Sequence, residues 1–142
     1  MDDNFKRAII LDHYSNSKNR GLLDDGRYLL KHNASESCID DIKVQMLIND
    51  NKIEDVRFDG IACTISTAST SIISDLIKNK TREEALNIIN NYYAMLNNEE
   101  YDEDILEEAI AFDNLYKQAN RIKCGMIGIN AMKELIERSY EK

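Results

Sequence analysis

The fold is decided by residues 42–77, which read IKVQMLINDNKIEDVRFDGIACTISTASTSIISDLI. Up to Ile48, apolar residues alternate with polar ones, as they do in a half-buried strand. The polar residues 49–51 predict a turn, and the alternation resumes at Val56. Two strands separated by so short a connection indicate an antiparallel hairpin.

The second half of this stretch changes from a strand pattern to a helix pattern. Ile53 is out of phase with Val56 by one residue, which predicts a β-bulge or a late strand start. After Cys63, apolar and small residues recur at three- and four-residue spacing, which predicts a helix. A strand therefore ends and a helix begins close to Cys63.

The rest of the chain predicts a third strand before residue 42 and several more helices. Thr81 and Glu84 form a capping box, which indicates that a helix begins there. The other helices are expected at about residues 3–14, 104–112 and 121–140. The length favours a single domain over residues 1–142. We predict an α+β fold in which about five helices cover one face of a small antiparallel three-stranded sheet.

The composition excludes several classes of protein. With 18 Lys+Arg against 26 Asp+Glu, the formal net charge is −8, which argues against nucleic acid as a partner and against a polybasic membrane anchor. The N-terminus lacks the features of a secretory signal, and no run approaches the ~18 apolar residues of a membrane span. We therefore expect a cytoplasmic protein, in which thiols stay reduced. The acidic stretch from Glu83 to Asp113 is interpreted as a solvated surface, with a docking site for a basic partner as the alternative.

The three cysteines are the most informative residues. Cys38, Cys63 and Cys124 are separated by 25 and 61 residues and form no C-x-x-C pair, so three buried structural cysteines remain an alternative to a shared site. Asp40 follows Cys38 by two residues, and in an extended chain both side chains project to the same face. Cys63 and Cys124 are expected near helix starts, which favour anions. Three thiolates and one carboxylate would make a four-ligand S₃O set suited to Zn²⁺.

The other polar residues are interpreted as structural. His13 is expected to cap the first helix or to pack against a loop, and His32 to lie on the surface. Neither histidine lies near Ser66, Ser69 and Ser71 in sequence, so this cluster is interpreted as small-residue helix packing, not as a hydrolase nucleophile.

Four segments together resemble the SufU branch of the IscU/NifU-N-terminal family of iron–sulfur biogenesis proteins, and the resemblance covers nearly the whole chain. They are Leu11–Tyr14 with Asn19–Gly21, the cysteine motif Cys38–Asp40, the stretch Phe58–Ser69 around Cys63, and Arg121–Cys124. Three features favour the SufU branch. Lys123, and not His, precedes the third cysteine, and Arg121 lies three residues before that cysteine. Thr81–Tyr101 supplies extra sequence between the second and third cysteines. The chain departs from the family pattern in having Ile39 where the first motif has Gly, and in lacking the prolines expected beside Asn16 and Arg121.

The resemblance implies a zinc-dependent sulfurtransferase that takes persulfide sulfur from a PLP-dependent cysteine desulfurase of the SufS type. It would serve the downstream Suf assembly machinery. It implies that Cys38, Asp40, Cys63 and Cys124 hold one Zn²⁺ per chain, and that a partner histidine displaces Cys38, which becomes the sulfur acceptor. Cys124 is the second candidate acceptor. Charge balance suggests a role for Arg121, which would offset the excess negative charge of three thiolates and a carboxylate around the metal; the alternative is a solvated residue at the helix start.

Two other functions remain open on the same residues. The first is a scaffold that assembles a [2Fe–2S] cluster. The second is a structural zinc domain used for protein contacts.

Overall fold

The strands of the protein form an antiparallel meander in the order β1–β2–β3. The computed structural model describes residues 1–35 and 39–141. Within these residues the strands are β1 (Leu29–Ala34), β2 (Asp41–Asn49) and β3 (Lys52–Ile61). The helices in the same ranges are α1 (Asp3–Ser15), α2 (Thr64–Ile77), α3 (Arg82–Leu96), α4 (Glu103–Leu106) and α5 (Ala119–Ser139). Two 3₁₀ segments, Glu107–Phe112 and Leu115–Lys117, connect α4 to α5.

The hairpin between β2 and β3 has the predicted turn and, of the two alternatives for Ile53, the bulge. Asp50 and Asn51 both have positive φ, at 50° and 64°, as the two central residues of a type I′ turn require. The pairing register shifts between Leu47 and Ile48, because β3 contains one extra residue, Glu54, at this point. The extra residue explains why Ile53 and Val56 are both buried although they are out of phase.

The core lies between one face of the sheet and the helices, which confirms the predicted α+β architecture. Val44, Met46 and Val56 on the sheet are completely buried. Helices α2 and α5 pack against each other and against this face. Most of α2 is buried, including its serines and the threonines at 67 and 70. No helix in the described ranges has both the length and the apolar character needed to cross a membrane.

The segment expected as one helix at residues 104–112 is not continuous, so this prediction is wrong. Helix α4 ends at Leu106, and Glu107 has a φ of 44°, which interrupts the α-helical hydrogen bonds. The chain continues as a 3₁₀ turn. In this 3₁₀ turn, Glu108 lies 2.7 Å from the His13 ring.

Candidate metal centre

Three of the four predicted ligands meet in the structure. Asp40 precedes β2, Cys63 precedes α2, and Cys124 lies in α5, yet one ligand atom of each lies within 4.8 Å of those of the other two. Asp40 and Cys124 are buried and Cys63 is half-buried. The fourth predicted ligand, Cys38, lies outside the described residues. Ser35 and Asp40 flank the segment that carries Cys38. The Ser35 N–H donates to the Asp40 carbonyl at 2.8 Å.

Cys63 is the N-cap of α2. Its backbone is extended, with φ −68° and ψ 169°, and its Sγ accepts a hydrogen bond from the Ser66 N–H at 3.5 Å. The sulfur therefore occupies the place that a Ser or Asp oxygen takes at most helix starts. Cys124 is the sixth residue of α5, farther from the helix start than the sequence predicted.

The Asp40 carboxylate accepts hydrogen bonds from the start of α2. Its Oδ1 accepts from the Cys63 N–H at 2.8 Å, and its Oδ2 accepts from the Ser66 hydroxyl at 2.5 Å. Ser66 is completely buried. Sequence reasoning interpreted Ser66 as packing and missed this contact. Its place three residues after a helix-capping Cys63 was the available signal, because that position faces the cap.

Asp40, Cys63 and Cys124 form the ligand cluster. The end of β3 is brought close to β2 beside this cluster. Gly60 has a φ of 136°, and a Cβ at this position would lie 2.0 Å from the Asp41 carbonyl oxygen. The Arg20 guanidinium donates to the Gly60 carbonyl at 2.8 Å. Because only glycine allows this approach, Gly60 lets the chain bring Cys63 next to Asp40.

A cavity of about 560 Å³ opens beside the two thiols. Arg121 and Lys123 line it together with Cys63 and Cys124, and both cationic residues are exposed. Arg121 lies three residues before Cys124, on the same side of α5. Within residues 1–35 and 39–141 it forms no ion pair. The cluster therefore has two cationic side chains at its opening, although the chain as a whole is acidic.

Both histidines of the chain are engaged away from this cluster. His13 contacts the Ser71 hydroxyl through Nδ1 at 2.8 Å and Glu108 through Nε2, and so joins α1, α2 and the 3₁₀ turn. His32 is exposed and lies 2.5 Å from an oxygen of Asp41. Among the described residues, the ligand group contains only carboxylate and thiol donors.

The donor set fits zinc. Tetrahedral zinc with sulfur at ~2.3 Å and oxygen at ~2.1 Å places a sulfur and an oxygen ligand about 3.6 Å apart. Cys63 Sγ and Asp40 Oδ2 are separated by 3.9 Å. A cation would also stabilise a buried carboxylate next to two thiolates, because it would offset the repulsion between their negative charges.

Comparisons with known proteins identify the family of the chain. The family model of the NifU-like N-terminal domain matches residues 6–138. The zinc-dependent sulfurtransferase SufU of Bacillus subtilis is 34% identical, over 93% of this chain and 89% of that protein. The iron–sulfur cluster assembly scaffold protein IscU of Streptococcus pyogenes is 35% identical, over 93% of this chain and 82% of that protein.

A solved structure leads to the same family. A candidate SUF-system iron–sulfur cluster assembly scaffold from Fervidobacterium islandicum superimposes with a TM-score of 0.85 at 29% identity, over 90% of this chain and 93% of that one. The fold and the sequence matches agree. The chain belongs to the NifU-like N-terminal domain family, which includes the SufU and IscU proteins of iron–sulfur cluster assembly.

Proposed function

We propose that this protein is a zinc-dependent sulfurtransferase that accepts persulfide sulfur from a SufS-type, PLP-dependent cysteine desulfurase and passes it to the downstream Suf machinery. The observation that carries the proposal is the meeting of Asp40, Cys63 and Cys124 in a site whose described ligands include no histidine. Lys123, which precedes the third cysteine, lines the cavity beside the thiols. The similarity to the Bacillus SufU supports the same assignment.

Cys38 is proposed as the fourth ligand and the sulfur acceptor. It lies two residues from Asp40, so covalent geometry keeps the two Cα atoms within ~7 Å of each other. Bound zinc would keep its sulfur ligands as thiolates at neutral pH. In the transfer, the Cys38 thiolate attacks the outer sulfur of the desulfurase persulfide, the S–S bond of that persulfide breaks, and the desulfurase cysteine leaves as a thiolate.

Arg121 is proposed to assist without binding the metal. Three thiolates and a carboxylate around Zn²⁺ leave a net charge of about −2 at the site. Arg121 lines the cavity beside Cys124, where its positive charge offsets part of this excess and favours the approach of an anionic persulfide.

The test combines metal analysis of the purified protein with desulfurase turnover. We expect about one zinc per chain, stimulation of the desulfurase, and loss of that stimulation in Cys38→Ser. Asp40→Ala is expected to lower the zinc content. Asp41→Ala is the matched control, because Asp41 is the next residue but is exposed and pairs with His32. A Cys38→Ser variant that stimulates the desulfurase as the unchanged protein does would refute the proposed acceptor.

The similarity to the Streptococcus IscU favours a second candidate, a scaffold that assembles a [2Fe–2S] cluster on the same residues. Anaerobic purification distinguishes the two functions. A coloured, iron-loaded protein that transfers its cluster to an acceptor would support the scaffold and count against the sulfurtransferase.

A further inference from the structure

We propose that Ser66 is a positioning residue of the metal centre. Its hydroxyl holds Asp40 in the orientation in which one carboxylate oxygen, Oδ2, serves as the ligand. This inference rests on the ligand set of the proposed function and assigns a role to a residue outside that set.

The two oxygens of Asp40 have different surroundings. Oδ1 is occupied by the Cys63 N–H, whereas Oδ2 receives the Ser66 hydroxyl and lies 3.9 Å from Cys63 Sγ. A partial rotation of the carboxylate would lengthen both hydrogen bonds. Each carboxylate oxygen has two lone pairs, so Oδ2 can accept from Ser66 with one of them and bind a metal with the other.

Ser66 is itself fixed in position. It is completely buried in the first turn of α2, and its carbonyl accepts from the Thr70 hydroxyl at 2.7 Å. Its own Oγ lies 3.4 Å from Cys63 Sγ. One short side chain therefore contacts both an oxygen and a sulfur of the cluster, and little conformational freedom is left for it to lose when a metal binds.

The hydroxyl of Ser66 is not needed to begin α2. The helix start is capped by Cys63 Sγ, which accepts from the Ser66 backbone N–H. Removing the hydroxyl leaves this cap intact. Ser66 has a single hydroxyl proton, which it donates to Asp40, so the effect of the change falls mainly on Asp40.

The experiment measures zinc affinity by competition with a chromophoric chelator. Ser66→Ala is expected to weaken zinc binding about tenfold, as the loss of a hydrogen bond to a ligand does in other metal sites. Ser74→Ala is the matched control: Ser74 is also completely buried in α2, but its hydroxyl donates to the Thr70 carbonyl. Zinc affinity should be unchanged in this control. Ser66→Thr keeps the hydroxyl and should restore at least part of the affinity.

A double-mutant cycle separates positioning from a general structural effect. In an Asp40→Ala background, Ser66→Ala should cause no further loss of zinc affinity, because its effect passes through Asp40. An equal loss in both backgrounds, or no loss in the unchanged background, would overturn the inference. The spectrum of the Co²⁺-substituted protein should change in Ser66→Ala and not in Ser74→Ala.

The outcomes also distinguish this inference from the proposed function. If Asp40→Ala leaves zinc affinity unchanged, Asp40 is not a ligand, and both the ligand set and the role of Ser66 are wrong. If Asp40→Ala weakens binding and Ser66→Ala does not, only the role of Ser66 is wrong. Zinc affinity is measured without a desulfurase, so failure of the sulfur-transfer assay would leave this result standing.

Discussion

Asp40 and Asp41 are identical side chains in consecutive positions, but they lie in opposite environments. Asp40 is 2% exposed and accepts hydrogen bonds from Cys63 and Ser66, whereas Asp41 is exposed and pairs with His32. The extended chain entering β2 turns alternate side chains to opposite faces, so one carboxylate joins the cluster and its neighbour faces solvent. The chemistry of each residue at this site is decided by the direction of its side chain.

Arg121 provides a prediction at the same scale. Arg121→Ala should weaken zinc binding by about two- to fivefold at low ionic strength, because an exposed charge contributes only ~0.2–1 kcal/mol. The difference should shrink as salt is added, and Arg121→Lys should keep most of the affinity. Chelator competition at two salt concentrations measures both effects.

The control for this prediction is Arg7→Ala, which removes an exposed cation from α1. If both changes weaken zinc binding equally, or if the effect of Arg121→Ala does not depend on salt, the hypothesis that Arg121 offsets the local negative charge is wrong.

At the scale of elements, the contact between α2 and α5 sets the distance between the two described thiols. Gly128 packs on Thr70, and a Cβ on Gly128 would lie 2.0 Å from the Thr70 Oγ1. Thr70 is four residues after Ser66, and Gly128 is four residues after Cys124, so the close contact lies one helical turn from the cluster on both helices. Glycine is unfavourable inside a helix by roughly 1 kcal/mol, and here it allows the helices to approach.

We expect Gly128→Ala to separate the two helices. The added methyl group should lower the free energy of unfolding by about 1–3 kcal/mol and should weaken zinc binding, because Cys124 moves away from Cys63. Urea denaturation and chelator competition measure the two effects. Thr70→Ala in the same protein should restore part of the stability.

Gly26→Ala is the control for this substitution, since nothing lies within 4 Å of a Cβ at Gly26. A Gly128→Ala variant as stable as the Gly26→Ala variant would contradict the packing argument.

At the scale of the whole molecule, the cluster joins segments that are far apart in the chain. Asp40 lies before β2, Cys63 at the start of α2, and Cys124 in α5. A metal held by all three binds the folded chain and not the unfolded one, so metal binding adds to the free energy of unfolding.

Chelation of the metal should therefore destabilise the protein. With free zinc at 1,000 times its dissociation constant, the added stability is about 4 kcal/mol, which corresponds to a melting temperature higher by on the order of 10 °C for a chain of this size. Thermal melts followed by circular dichroism with and without a chelator measure the shift. The chelator should change the melting temperature of Asp40→Ala much less. Equal melting temperatures for the zinc-loaded and the chelated protein would contradict this prediction.

Features with a local cause could be predicted from the sequence. The hairpin with its bulge follows from the phase of Ile53 against Val56, the start of α3 follows from the Thr81–Glu84 capping box, and both are present. The break at Glu107 could not be predicted, because the sequence there has an uninterrupted helical pattern. Beyond the break, Glu108 contacts His13, which is 95 residues away in the chain, and no local pattern predicts such a contact.

The sequence by itself determined the order of strands and helices, the place of Cys63 at a helix start and the residue types of the candidate ligands, because periodicity and capping act over a few residues. The tertiary structure decided that Asp40, Cys63 and Cys124 meet and that Ser66, which the sequence assigned to packing, contacts Asp40. These contacts join residues 23 or more positions apart. They depend on how closely Gly60 and Gly128 let their neighbours approach, which no local pattern encodes.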